Sequence, residues 1–521
     1  MNVDTAAREA PRIGFRISRD ELRYLAMVAA LAGATILASR VSFVAFVVLG
    51  SVVLGALAYA AWRWPRAVLV AVVLAPLVDR YLIGLLLPAS LELWARLISE
   101  SVLAVSAVII SVRSLRAGTF VAAFRHPVAA GLAFFLAVSV ASAVVNGVEP
   151  GVAVVGMLFT VDAMALFVLA RMVRFTPRQM LAVATLFAAF VVVTAAIGIA
   201  QAVLAPDILG LPVLRGRFGE SVRVASFVGD PGLFATMLCM AVGIPLFAFA
   251  QLRGGRLRTV ALVSAYLLLV ALVLSFSRGG WLGFVAGFGI TAVVLDRRAF
   301  VLAVAVSVVA FATAWFMPRN LIVGSESASA GSVETSDILE STADRSAALY
   351  EGRDLRLLFV VNAVPIIRDH PVLGVGPGRF GGAAARTFDS PVYRAYGTDR
   401  LFWNPRQQTV DDFWLHLVVE VGALGTLAYL TTLGAATLPL FRAALRARPA
   451  EAALLAAIIT MVGAMSANGV TSMLLEGNTA SFALWFFLGI GSLIAADVAR
   501  RQPGETSTTT MPAMPASAEA P

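Results

Sequence analysis

Long apolar runs separated by short arginine-bearing connections fill residues 22–317 and 411–499. A helix needs about 20 mainly apolar residues to cross a bilayer. Fourteen runs are candidates, near 22–39, 41–62, 67–87, 97–112, 127–146, 151–173, 180–204, 234–252, 259–277, 280–295, 299–317, 413–441, 450–470 and 480–499. The third and fourth are the least regular, because Asp79, Arg80, Glu92 and Arg96 interrupt that region. The pattern predicts an all-α polytopic membrane protein with about 12–14 transmembrane helices and one large loop, residues 318–410. Residues 1–21 form a polar tail, and residues 500–521, rich in Thr, Pro and Ala, read as a disordered one.

The loop has its own pattern. Residues 324–346 are rich in Ser, Ala and Glu. From Arg353 to Arg368 the apolar positions recur with helical spacing, which predicts a short surface helix rather than a span. A turn-dense Asp369-His-Pro-Val-Leu-Gly-Val-Gly-Pro-Gly378 follows. Tyr393, Tyr396, Phe402 and Trp403 then suggest an aromatic surface for sugar rings or for the membrane interface.

Composition removes the soluble classes. The chain of 521 residues is 60% hydrophobic and 14% charged, with a mean hydropathy of +0.87. A soluble domain is nearer half apolar and a quarter charged. The lone Cys239 excludes an intrachain disulfide and reads as a packed membrane residue. No short apolar core with a small-residue cleavage site opens the chain, so no signal peptide is expected.

All 40 basic residues are arginine. With the N-terminus placed in the cytoplasm, 23 arginines fall in inner segments and seven in short outer loops. Short cytoplasmic loops carry an excess of positive charge, so the predicted orientation has both termini inside and the 318–410 loop outside. The same bias accounts for the net charge of +9, and no nucleic-acid partner is expected. Arg215, Arg217, Arg223 and Arg278 oppose the bias. Interfacial snorkelling is one reading of them; an anionic substrate on the outer face is the other. For Arg278 the loop is so tight that we expect the chain to turn on Gly279 and Gly280.

The last candidate is QTVDDFWLHLVVEVG, residues 408–422, which opens a span with charged groups. Charges near a bilayer core are expensive and tend to be functional. Asp412, His416 and Glu420 are spaced i, i+4, i+8 and form one helical stripe, whereas Asp411 faces another way. Bland readings stand beside the chemical ones: N-capping for Asp411 or Asp412, packing for His416, an interhelical hydrogen bond for Glu420, and a turn role for His370. His126 falls on the inner side.

Four segments together carry a resemblance: RVASFVGDPGLFA, SFSRGGWLG, RLLFVVNAVPIIRDHPVLGVGPGRF and DDFWLHLVVEVGALG. In this order, bracketing one long loop between about Arg215 and Leu427, they resemble the O-antigen ligase and polysaccharide polymerase family. The resemblance implies an integral-membrane glycosyltransferase of the lipid-donor type (GT-C-like). Its expected partners are an undecaprenyl-diphosphate-linked glycan, an acceptor glycan or lipid, membrane lipids and other polysaccharide-assembly proteins. The site would lie on the outer face of the cytoplasmic membrane, with inverting chemistry, no metal and no other cofactor. The arginine of the family's Ser-x-Ser-Arg turn falls on Arg278. The arginine opening the helix before His-Pro-Leu-x-Gly-x-Gly falls on Arg356, although Val360 stands where an aromatic residue is expected four positions later. The family's His-Asn pair falls on Asp411 and Asp412, a departure that puts a carboxylate where a histidine base is expected.

The chemistry of such a transfer needs two things. Charge gathers on the leaving diphosphate, and a guanidinium fork can hold it. Arg278 and Arg356 are the candidates, with Arg223, Arg217 and Arg215 as substrate-binding support. The acceptor hydroxyl must lose a proton to a base. Either Asp411 acts alone, or Asp412 and His416 act as a pair beside Glu420. Two other classes compete: a transporter or flippase for lipid-linked glycan, which would need central cavity charges and often repeats, and a structural protein of envelope assembly.

Overall fold

The computed structural model describes residues 23–24, 27, 43–77, 92–204, 214–215, 222–252, 254–316, 355–401, 410–476 and 478–501. The first candidate span falls almost wholly outside these residues, as do Arg217, Phe402, Trp403, the 324–346 stretch and both tails.

In chain order the long helices are α1 (Phe43–Arg63), α2 (Pro65–Leu74), α3 (Glu92–Arg116), then the short α4 (Phe120–Phe124), α5 (Pro127–Val145), α6 (Pro150–Val173) and α7 (Pro177–Val203). A two-residue ribbon follows, β1 (Leu214–Arg215) pairing antiparallel with β2 (Val222–Arg223), Leu214 opposite Arg223. Then come α8 (Pro231–Gln251), α9 (Arg256–Leu274), α10 (Arg278–Leu295) and α11 (Arg297–Phe316). The loop region holds α12 (Leu355–Asp369), α13 (Ala383–Thr387) and α14 (Pro391–Ala395). The chain closes with α15 (Phe413–Ala444), α16 (Pro449–Asn468) and α17 (Asn478–Arg500).

Local chemistry sets these boundaries. Pro65, Pro127, Pro150, Pro177, Pro231 and Pro449 each open a helix, where the missing N–H is no loss and the fixed φ already fits. Asp230, Ser277 and Asp412 cap α8, α10 and α15 with a side-chain oxygen that accepts from the N–H of the third helical residue.

Among the described residues nine helices are long and apolar enough to cross a membrane, so the chain is a polytopic membrane protein. Three further helices, α1, α3 and α10, contain 21, 25 and 18 residues. The candidate span at 67–87 is described only as far as Leu77, and its remainder lies outside the described residues. In the described part α2 gives way to a 3₁₀ turn at Ala75–Leu77.

Helix pairs approach closely where side chains are small. Gly279, Gly283 and Gly287 recur every four residues along α10 and face α16. A Cβ at Gly283 would lie 2.9 Å from the Ala464 carbonyl oxygen, and one at Gly463 would lie 2.7 Å from the Gly287 Cα. Hydrocarbon supplies no hydrophobic drive between helices, so such close backbone packing is the main source of adhesion.

The region after residue 354 is a small unit with its own core. Phe359, Ile366, Val375, Phe380, Tyr393 and Val410 pack together with Val419 of α15. The helix expected over 353–368 is present as α12. Tyr393 is not a surface aromatic, as the sequence suggested, but is 1% exposed.

Candidate functional site

The site is built around a break in α15. Gly422 sits at φ 65°, ψ −171°, a conformation open in practice only to glycine. The sequence reads as one continuous helix here; the structure shows residues 413–421 and 423–444 as two segments. A break leaves carbonyls on one side and N–H groups on the other without helical partners, which is costly in a membrane. The His370–Gly376 turn supplies the partners. Val375 N and Gly376 N donate to the carbonyls of Val419 and Glu420 at 2.9 Å each. Ala423 N and Leu424 N donate to the carbonyls of Pro371 and Val372 at 3.0 and 3.1 Å. Thus the turn-dense motif and the helix are one hydrogen-bonded object.

The same loop continues over a buried polar layer. Glu420 accepts from Gly378 N at 2.8 Å and Phe380 N at 2.7 Å, one bond to each carboxylate oxygen. His416 Nδ1 lies 2.5 Å from the Phe380 carbonyl. A carbonyl only accepts, so Nδ1 carries the proton, and among the described residues the buried Nε2 has no hydrogen-bond partner. Tyr393 Oη accepts from Gly381 N at 2.7 Å, and Glu476 accepts from Ala383 N at 3.1 Å. Ser142 and Asn146, at the end of α5, bind the loop carbonyls of Leu373 and Gly374. Arg379 donates to Asn146 and Gly147 carbonyls at 3.1 and 3.0 Å.

This layer fixes the mouth of the site. Gly381 O accepts from Val410 N at 3.0 Å, which places the next residue, Asp411. On α12, packed against Val419 through Phe359, Arg356 extends to Asp411, with Nη2 3.9 Å from Oδ2. Both side chains are open to solvent, 45% and 62% exposed. An exposed pair at this distance stabilises a fold by at most about 1 kcal/mol, so stability does not explain it. Asp412 beside it is the helix cap, its Oδ1 accepting from Leu415 N at 3.0 Å. Burial pushes its carboxyl above the usual range, against the pull of those backbone N–H donors.

Arg278 comes to the same neighbourhood by another route. The turn lies at Ser275–Ser277, with Phe276 at φ 49°; Gly279 and Gly280 lie inside α10 and do not make the turn, contrary to the sequence expectation. Their smallness lets α10 approach: a Cβ at Gly279 would overlap Thr471 and Asn468, and one at Gly280 would meet Ala235. The turn at 468–471 also holds α15, since Gly469 O accepts from Phe413 N at 2.8 Å. Asn468 donates to Thr236 of α8. Arg278 and the Asp411–Asp412 pair therefore start two helices that meet one shared turn.

The structure does not bring every candidate to one place. Arg215 and Arg223 sit on the ribbon leading to α8, and the residues after it are tied to α7, where Gln201 Oε1 accepts from Ser226 N at 3.1 Å. His416 and Glu420 lie beneath the loop, 2% and 3% exposed. His370 is in the turn, and its carbonyl accepts from Gly374 N at 3.1 Å. His126 caps α5 at the opposite end of the bundle. Among the described residues no three His, Cys, Asp or Glu side chains gather as metal ligands. Glu476 escaped the sequence reading. Its signal was an acid in the apolar MLLEGNTASF stretch between two spans.

Burial raises the Glu476 carboxyl above its ordinary 4.5. The folded protein then holds that proton more tightly than the unfolded chain, so stability is highest at low pH and falls as pH rises from about 4.5 through the folded value. Thermal unfolding of Glu476→Gln against pH should show a shallower decline over this window than wild type. An unchanged slope would show that this carboxyl does not contribute.

The fold and this site together define a multi-pass membrane protein with a polar, loop-sealed centre at one end of its helix bundle. Residues 263–430 match the model of the O-antigen ligase family, and this stretch is O-antigen ligase-like. The match takes in Arg278, Arg356, Asp411, Asp412, His416 and Glu420; the ribbon arginines and Glu476 lie outside it. No curated protein matches the chain.

Proposed function

We propose that the protein is a glycosyltransferase that passes or polymerises a glycan from an undecaprenyl-diphosphate donor onto an acceptor hydroxyl, at the outer face of the cytoplasmic membrane. The single observation that carries this reading is the exposed Arg356–Asp411 pair, set 3.9 Å apart on a rigid support. It offers a cation for the leaving diphosphate and a base for the acceptor side by side. The family match supports the donor and acceptor classes, and the arginine bias supports the outer side. A lipid-donor (GT-C-like) architecture is part of the same reading.

In this mechanism Arg278 and Arg356 hold the diphosphate oxygens, where fixed charges near a low-dielectric medium stabilise the developing anion. Asp411 takes the acceptor proton as the acceptor oxygen bonds to the anomeric carbon and the bond from that carbon to the carrier diphosphate breaks, with inversion. Asp411 is the base alone: Asp412 is engaged as a cap and His416 is buried against the Phe380 carbonyl. Glu420, His416, Glu476 and Tyr393 position the loop. Arg223, with Arg215 and Arg217, assists binding of the donor on its approach.

The test is transfer by the purified protein in lipid nanodiscs, with a defined carrier-linked oligosaccharide and acceptor. Wild type should extend the acceptor. Arg356→Gln and Arg278→Gln should each lose roughly 10²–10³-fold in rate with unaltered melting. Wild-type transfer by both variants, or movement of the carrier-linked glycan between leaflets without transfer, would overturn the reading.

A further inference from the structure

At the opposite end of the bundle, a cleft of about 670 Å³ opens between α1, α2, α3 and α6. Arg63, Arg66, Arg113 and Arg174 line it, and among the described residues none of its lining side chains is acidic. The positive-inside bias explains why arginines lie at this end; it does not explain why four from three chain segments converge on one concavity. Like charges gathered on one concavity focus a positive potential that attracts an anion.

Two of the guanidiniums are held by backbone carbonyls. Arg66 Nη2 donates to the Arg174 carbonyl at 3.2 Å, and Arg113 Nη1 donates to the Trp62 carbonyl. Each bond uses one of the five N–H donors a guanidinium carries. Arg174 caps α6 at φ 53°. Ser114, Thr119 and Gln179 add neutral hydrogen-bonding groups to the same lining.

Position selects the kind of anion. Arg63 and Arg113 lie in the last turns of α1 and α3, where long apolar helices meet the membrane boundary. Arg116 lies over the Trp62 ring at 5.0 Å and Arg63 over Trp64 at 5.9 Å, the aromatic signature of an interface. Along α1, Val52 and Tyr59 are exposed on the helical face that ends at Arg63, a surface for acyl chains. Ile110 and Val173 add apolar groups to the lining of the cleft itself.

We propose that this cleft binds the phosphodiester headgroup of an anionic phospholipid from the arginine-rich leaflet. Basic pockets between transmembrane helices suit such headgroups. The site is distinct from the transfer centre and stands whether or not the transfer reading holds.

The test uses the full chain in phosphatidylcholine nanodiscs, titrated with fluorescent phosphatidylglycerol. Arg63→Gln/Arg66→Gln removes two exposed cations of the cleft and should weaken binding by roughly 30-fold. Arg298→Gln/Arg442→Gln removes two exposed cations at the same end outside the cleft and should bind like wild type. Melting curves check folding, and Arg174→Gln alone replaces the cleft variant if that variant unfolds. Equal weakening in both double variants would show general surface attraction and overturn the site. So would displacement of the lipid by millimolar inorganic phosphate, which would make it a free-phosphate site.

Discussion

Asp411→Asn should lower glycan transfer by roughly 10²–10⁴-fold, the contribution expected of a positioned general base. The change preserves size and removes only the basicity. Asp411 is 62% exposed and lies at the ion-pair limit from Arg356, so the fold should not register its loss. Steady-state rates with a carrier-linked donor, read beside thermal melting, check both halves. The fall should appear in kcat, with the KM for donor nearly unchanged, because the carboxylate acts on the acceptor proton. Asp412→Asn is the internal control. Asparagine also caps helices well, and its Oδ1 can accept from Leu415 N as the aspartate does. Transfer should survive that change within a few fold. Wild-type turnover by Asp411→Asn, or a larger loss from Asp412→Asn, would remove Asp411 from the role of base.

Gly422→Ala should be severely damaging. At φ 65° and ψ −171°, an L-residue costs about 1–3 kcal/mol in backbone strain alone. The added Cβ would also overlap the Val372 carbonyl, one of the groups that satisfies the broken helix. Relief of that overlap moves the 371–376 turn and uncovers backbone groups that have no water to turn to. The loss should reach several kcal/mol and appear as low yield and a strongly lowered melting point. Gly434→Ala in the same helix meets nothing within 4 Å and should be neutral or stabilise by up to about 1 kcal/mol. Equal melting of the two variants would show that the break is not needed.

These two residues mark the limits of a sequence reading. Asp411 was legible because local pattern places it: a charged pair just before an apolar run, opposite the arginine bias and aligned with a motif. Gly422 was not, since the alternation around VEVGALG fits an unbroken helix. Only the partner turn, some fifty residues earlier, makes the break affordable. Glycines 279 and 280 were misassigned for a related reason. Adjacent glycines suggest a turn, but here they admit neighbouring helices: Gly279 meets Asn468 and Thr471, almost two hundred residues away, and Gly280 meets Ala235 of α8. Tyr393 was read as surface because an aromatic residue in a polar loop has no local sign of a separate small core.

The sequence by itself determined the membrane class, most of the span positions, the charge asymmetry between the ends, and the residues with suitable chemistry. Those properties follow from apolar length, proline and cap chemistry, and arginine placement, which act within a few residues. Only the tertiary structure decided that Arg356 meets Asp411, that Asp412 is a cap, that His416 and Glu420 lie beneath a loop, and that Glu476 joins them. Each of those facts depends on hydrogen bonds and close packing between segments far apart in the chain, and no local pattern encodes which distant backbone will satisfy a broken helix.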